Sequence, residues 1–401
     1  MGDSPRSVRH HAVRLDAARQ GEVAAWLKGL AEGGVTRREF VVRAAALGVA
    51  SSTIGMMLAA CGGEKTSGST PEAMDTSLPA SLTFYNWTEY TSPAVIKKFE
   101  EEHGVKVDLK LYESNEELQK NVESAGPYDV IVPEDAYVTI FARAGLLRPL
   151  DMSLIPNFEK YVVGDLFKMP SFDPGTGGKK YSVPFMFGTI GIAIRLDAIS
   201  APPNSWDVIY DDKYKGKISM LEGAHEVLGP ALLSLGYSLN TTDQGQLDEA
   251  TAKAIEQKPL VTTYSSSGMT KRITGGLPLV ECWDGDAILA MNKIGLSKLR
   301  YELPEEGYSV WMDGVCVPQN APSPYAAHLF LDFMLDPVNA AASANYLGYQ
   351  PVVEAADPMI KSLVQRAMRP SPEVISQGTL AVDIGEFEDA FQAAYKKVQQ
   401  A

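Results

Sequence analysis

At 401 residues the chain exceeds the usual size of one domain, and its 45% hydrophobic and 21% charged content is that of a soluble globular protein with a large core. Its 36 Lys and Arg against 50 Asp and Glu leave a formal charge of −14, which argues against nucleic acid as a partner and favours cations, although solubility alone accounts for the same sign.

Residues 1–60 read as an export signal. Thr36-Arg37-Arg38-Glu39-Phe40-Val41 is a twin-arginine signature, and the apolar run from Ala44 to Ala60 leads into Leu58-Ala59-Ala60-Cys61-Gly62. This resembles a twin-arginine signal that ends in a lipobox, with Cys61 as the lipid-bearing first residue of the mature protein. The competing reading is a membrane anchor, but the run is short for a span and contains Ser51, Ser52, Thr53 and two glycines. Beyond residue 60 the balance is 28 basic against 45 acidic residues, a net −17. Residues 61–80, rich in Gly, Ser, Thr, Pro and Glu, read as a flexible tether. The remaining cysteines, Cys282 and Cys316, permit one disulfide; twin-arginine export carries folded proteins and makes the bridge optional, so two buried thiols are the favoured reading.

The alternation Ser81-Leu82-Thr83-Phe84 predicts a strand, with Tyr85-Asn86-Trp87-Thr88-Glu89-Tyr90 at or just past its carboxyl end, where open α/β sheets hold ligands. A helix follows from Pro93, capped by Ser92. A strand is predicted at Val105–Leu109, a helix at Asn115–Val122, and a buried strand at Tyr128–Pro133. This alternation predicts a largely parallel sheet with crossover helices. Ser182–Phe185 and Gly191–Ile194 read as two extended runs, with Gly188 marking a turn at which the chain crosses between lobes. Trp206–Tyr214 reads as a short helix, and Ile218–Leu221 as a strand followed by a loop that carries His225 and Glu226. Leu277–Trp283 reads as a strand ending in Asp284-Gly285-Asp286, Tyr308–Val317 as another, and Pro324–Leu335 as a helix that buries Ala327, Phe330, Leu331 and Met334.

Aromatic faces beside carboxylates suit an organic cation, because the ring quadrupole attracts the charge and the carboxylate neutralises it. Trp87 with Glu89, Trp283 with Asp286, and Trp311 with Asp313 repeat that pairing; residues two apart on a strand, as in Trp311-Met312-Asp313, share a face. A packed core aromatic remains the plain reading of any one of the three. Catalytic and metal signatures such as HExxH, GxSxG, a Walker loop or paired CxxC do not occur. His225 beside Glu226 reads as surface or binding material, and Pro174–Lys180 (PGTGGKK), in which neither lysine is directly followed by Ser or Thr, as a hairpin or surface loop.

YNWTEY, YESNEEL at Tyr112–Leu118, YDVIVP at Tyr128–Pro133, GYSLNTTD at Gly236–Asp243, Trp283–Ala287, WMDG at Trp311–Gly314 and LGYQP at Leu347–Pro351 together resemble the bacterial polyamine-binding periplasmic proteins, the spermidine and putrescine receptors of ABC importers. The resemblance runs from about Leu82 to the end. It implies an α/β, two-lobed type II periplasmic-binding-protein fold, each lobe a mostly parallel sheet flanked by helices, with two hinge crossings. Residues 81–187 and 312–357 would form lobe 1, and 188–311 and 358–401 lobe 2. Trp87 and Tyr90 would wall the cleft, while Glu226, Trp283, Asp286, Trp311, Asp313 and Tyr349 match positions used for aromatic packing and ammonium binding; Ser266 is a weaker match. The family's usual serine falls on Glu134, its aromatic two residues later on Ala136, an acid used by some members on Gly223, and a polar residue near the C-terminus on Ala381.

The resulting expectation is a non-enzymatic, exported lipoprotein without cofactor or metal. It would be a monomer that captures spermidine or putrescine and delivers it to a permease and an ATPase in the membrane. The alternatives are another solute, such as an opine, an amino-acid-like cation or an iron chelate, and an extracellular enzyme on the same scaffold.

Overall fold

The alternation that begins at Ser81 builds β1 (Ser81–Trp87), and the helix opened by Pro93 is α1 (Pro93–His103). β2 (Lys106–Tyr112), α2 (Asn115–Glu123), β3 (Val130–Ile131) and α3 (Asp135–Arg143) continue the pattern. β1 pairs in parallel with both β2 and β3, so the chain crosses over through helices as the alternation requires. The computed structural model describes residues 74–124, 126–162, 178–200 and 204–401. The segment read as an export signal, Cys61, most of the segment read as a tether and the first part of PGTGGKK lie outside the described residues.

After α4 (Pro156–Tyr161) comes a correction to the sequence reading. Ser182–Phe185 and Gly191–Ile194 are not two runs joined by a turn but one 14-residue strand, β4 (Ser182–Arg195). Its sequence is apolar at nearly every position because both faces are covered, and Gly188 stays extended within it. The expected helix at Trp206–Tyr214 is two short 3-10 turns, Trp206–Tyr210 and Asp212–Tyr214. β5 (Ile218–Met220) then runs into α5 (Ala224–Ser234), which places His225 and Glu226 in a helical first turn and not on a loop. There follow α6 (Gln244–Gln257), β6 (Val261–Tyr264), α7 (Met269–Thr274), β7 (Leu279–Trp283), α8 (Asp284–Ile294) and β8 (Leu299–Glu302). The chain returns through β9 (Ser309–Cys316), α9 (Pro324–Met334), α10 (Pro337–Leu347) and β10 (Gln350–Pro351). It ends in α11 (Leu363–Ala367), α12 (Pro372–Gln377), β11 (Thr379–Leu380) and α13 (Glu388–Gln400).

The strand order is β2-β1-β3-β9-β4-β7-β5-β6, with β8 and β10 also on β4 and β11 on β9. The flanks β2-β1-β3 and β7-β5-β6 are parallel, as expected. Every antiparallel pairing between these strands involves β4 or β9, the two long strands between the flanks. β4 joins the halves by changing partner: its first half pairs with β9 up to Thr189, and from Ile190 onward it pairs with β7 and β8.

Each half has its own core. Beside β1, the rings of Phe84 and Phe99 meet Phe330 of α9 edge-on at 5.0 and 4.8 Å, and each fully buried ring contributes roughly 1.5–3 kcal/mol. Beyond Ile190, Ile192, Ile194, Trp206, Ile218 and Leu279 close a second core. Phe391, Ala394 and Val398 of α13 cover α5 and α6. Cys282 and Cys316 are buried free thiols, in accord with the sequence reading.

Candidate ligand-binding site

Local sequence rules bring distant residues to one place. On β9 the two-residue period puts Trp311 and Asp313 on one face, and the Asp313 backbone pairs with that of Glu134, at the entry to α3, in an isolated antiparallel bridge. On the next segment, α10 ends at Gly348 in the left-handed region, φ 85°, where a side chain would meet the Gly285 carbonyl at 2.7 Å. That close approach lays the Tyr349 ring over Gly285, in the first turn of α8, and its hydroxyl donates to Asp286 Oδ2 at 3.3 Å. Asp286 Oδ1 accepts from Thr270, backbone N–H at 3.2 Å and hydroxyl at 2.8 Å. Tyr349 stands 5.6 Å from Tyr90 and 5.1 Å from Trp311, the latter perpendicular. The Tyr90 hydroxyl faces the Asp313 carboxyl, short of regular hydrogen-bond geometry.

Burial governs the electrostatics of this group. It pushes the carboxyls of Asp313 and Asp284 up to about 8, with Tyr90 working against it at Asp313, and the amides of Gly285 and Thr189 working against it at Asp284. Glu134 is raised well above its usual range, first by burial and then by the neighbouring charges of Glu226, Asp313 and Asp135. Asp286 and Glu226 are raised by burial too, offset by Thr270 in one case and by His225 in the other. Glu134, Glu226 and Asp286 keep partial contact with solvent, whereas Asp284 and Asp313 are 1% and 5% exposed. Among the described residues no Lys or Arg forms an ion pair with any of the five; Arg272 is near enough to Asp286 to feel it and donates instead to the Ser265 carbonyl.

Most of the residues picked from sequence therefore converge: Tyr90, Trp311, Asp313, Tyr349, Asp286, Glu134 and Glu226. Trp87 reaches the same region from the end of β1, its indole donating to the Val132 carbonyl at 2.8 Å and packing on Tyr112 at 4.6 Å. Trp283 is half-buried at the N-cap of α8, opposite Ile190. Two candidates stand apart. Glu89 is exposed, at φ 58° the one non-glycine with positive φ among the described residues, and reaches Asp286 only through its field. Ser266 holds the backbone of Glu222, accepting its N–H at 3.0 Å and donating to its carbonyl at 3.1 Å. Sequence reasoning passed over Asp284 and Glu281. The signal was present in both: a second acid in Asp284-Gly285-Asp286, and one carboxylate inside an otherwise apolar strand. Glu281 is fully buried, accepts the Leu221 N–H at 3.0 Å, and is pushed well up by burial.

The sequence profile of the family described as "Bacterial extracellular solute-binding protein" matches residues 94–368, more than half of the chain and nearly all of the site. The chain belongs to that family. This solute-binding protein is 31% identical over 325 residues to the spermidine/putrescine-binding periplasmic protein of Salmonella typhimurium, covering 80% of the chain and 91% of the relative. Among solved structures it resembles the spermidine/putrescine ABC transporter substrate-binding protein of Streptococcus pneumoniae, with 30% identity, TM-score 0.66, and 80% and 98% coverage. It also resembles a lipoprotein of Treponema pallidum, with 28% identity, TM-score 0.71, and 79% and 99% coverage. The fold is that of the type II periplasmic-binding proteins, with β4 and β9 as the long strands between its two halves.

Proposed function

We propose that this solute-binding protein captures a polyamine, spermidine or putrescine, and hands it to an ABC permease and its ATPase. The observation that carries the reading is the charge deficit of the site: five converging carboxyl groups that no Lys or Arg among the described residues ion-pairs, set among Trp87, Tyr90, Trp311 and Tyr349. Carboxylates and aromatic faces in that mixture suit a chain of ammonium groups separated by methylenes. One cation-π contact supplies about 0.5–2 kcal/mol, whereas micromolar affinity needs about 8 kcal/mol, so several contacts must act together. The relatives' names, which join spermidine and putrescine, favour this over an opine, an amino-acid-like cation or an iron chelate. The mechanism is binding without chemistry: lobe 1, residues 81–187 and 312–357, and lobe 2, residues 188–311 and 358–401, close about the crossings at β4 and β9. A thermal-shift screen of the full-length chain with polyamines, metal salts and amino acids tests the reading. Spermidine or putrescine should raise the melting temperature; no stabilisation by any di- or triamine would sink it.

The twin-arginine signature and the lipobox extend the reading to a lipoprotein held by lipid on Cys61, and a relative described as a lipoprotein supports it. Cys61→Ala should then release the mature protein into the soluble export fraction. Retention on membranes after a high-salt wash would contradict the anchor.

A further inference from the structure

Besides the Tyr90 hydroxyl, which faces Asp313, two buried polar atoms beside the aromatic group lack a hydrogen-bond partner, and they are complementary. Trp311 Nε1 is a donor, Asp284 Oδ2 is an acceptor, and their side chains are 9% and 1% exposed. Asp284 Oδ1 is already used by the Gly285 N–H at 3.0 Å. Both residues close on one point above Gly188: a Cβ there would collide with Asp284 Oδ1 and would meet Trp311 Cζ2, the ring carbon on the indole's N–H edge, at 2.8 Å. Gly188 sits opposite Trp311 in the β4–β9 register, and its backbone is extended, so its role is space. The glycine lets an acid and an indole approach that any other residue would hold apart.

We propose that Asp284 is a positioning residue for Trp311: when the ligand's ammonium settles on the indole face, the Asp284 carboxylate accepts the Trp311 Nε1–H and fixes the ring against Gly188. Resting on the polyamine reading, this follows from what each state leaves unpaired. An unmade hydrogen bond between two desolvated groups is costly on both sides. A cation over the ring favours the ionised form of the nearby acid. A carboxylate that accepts the indole N–H returns electron density to the ring face that the cation meets, so ligand and hydrogen bond support each other. The perpendicular Tyr349 ring, 5.1 Å from Trp311 and itself held to Asp286, packs against the indole as well. Asp284 thus acts through Trp311 and need not touch the ligand.

Nitrogen-15 spectra of the full-length chain, with the Trp311 indole signal assigned through Trp311→Phe, test the pairing. Spermidine should move that signal downfield in the parent. In Asp284→Leu the signal should stay put and spermidine affinity should fall roughly tenfold, the scale of one hydrogen bond to a charged group. Asp284→Asn keeps an acceptor oxygen and should restore much of the shift, while Gly188→Ala should abolish it by wedging the pair apart. The parent spectrum decides even if a variant does not fold. Thermal stabilisation by spermidine with an unmoved Trp311 signal, as a bridging water would give, overturns the pairing; so does an equal shift in Asp284→Leu. Absence of stabilisation by any di- or triamine would remove the polyamine reading as well, which separates the two failures.

Discussion

Asp313 shows how far one residue can be read. Its place was legible because a strand alternates: Trp311 and Asp313, two apart, had to share a face, and both are buried beside Tyr90 and Tyr349. Removing one partner of a desolvated charge pair costs roughly 2–5 kcal/mol. Asp313→Asn should therefore weaken polyamine binding by more than an order of magnitude while the fold persists; calorimetric titration showing parental affinity would disprove the assignment. Glu134 makes a finer claim. By the resemblance it replaces the family's usual serine; its backbone pairs with that of Asp313 and its carboxyl feels the charges of Glu226 and Asp313, so it belongs to the acidic group and adds a charge that a diamine does not need. Spermidine should bind more tightly than putrescine, and Glu134→Gln should narrow the gap. Competition titrations would settle it, with a putrescine-preferring parent or an unchanged ratio counting against Glu134. Asp284 was missed for a physical reason: sequence spacing cannot tell which acid in Asp284-Gly285-Asp286 points inward, since both lie in the first turn of α8, and packing against Gly188 decides it.

At the scale of elements, what depends on local chemistry was readable and what depends on partners was not. Pro93 opens α1, although Ser92 at the N-cap makes no side-chain cap bond, and the apolar face of Ala327, Phe330, Leu331 and Met334 is buried on α9, because a first-turn proline and helical periodicity act within a few residues. β4 misled for the converse reason. A glycine between two apolar runs is also the signature of a close contact inside a buried strand, and only the neighbours Asp284 and Trp311, about a hundred residues away in sequence, distinguish contact from turn. His225 and Glu226 were misplaced similarly: Gly223, at φ 136°, is the N-cap of α5 without a side-chain cap bond, so the usual Ser, Thr, Asp or Asn signal was missing. The parallel flanks were foreseen from strand-helix alternation. The antiparallel centre was not, because strands far apart in sequence leave no local mark of their pairing.

For the whole molecule, the buried acids tie stability, ligand and pH together with a definite sign. Asp284 and Asp313 titrate near 8 when folded, against the ordinary value of 3.8 that holds in the unfolded chain. Between roughly pH 4 and 8 the folded empty protein therefore holds protons that the unfolded chain has released. Their contribution is full below the unfolded value and is lost as pH rises, at up to about 1.4 kcal/mol per pH unit for each proton. His225, raised by Glu388 despite its burial, adds to the same trend, because a raised histidine stabilises below its unfolded value and loses that effect as pH increases. Glu388, held low by His225, works oppositely: its contribution is present above the ordinary glutamate value and is lost as pH falls, so the experiment belongs above pH 5.5. A polycation demands the ionised carboxylates, so its binding must displace those protons, and affinity should rise over the window in which empty-state stability falls. From pH 5.5 to 8 the melting temperature of the empty chain should decline while the increment given by spermidine grows, and calorimetry in buffers of different ionisation enthalpy should register proton release. Replacing both Asp284 and Asp313 with Asn should make the empty-state slope shallower, the remainder coming from the other raised acids, Glu134, Asp135, Glu226, Glu281 and Asp286, and from His225. A melting temperature that stays level in the parent, or spermidine binding that takes up no buffer heat, would mean that the acids of the empty site are already ionised and that the charge deficit is met by something other than protons.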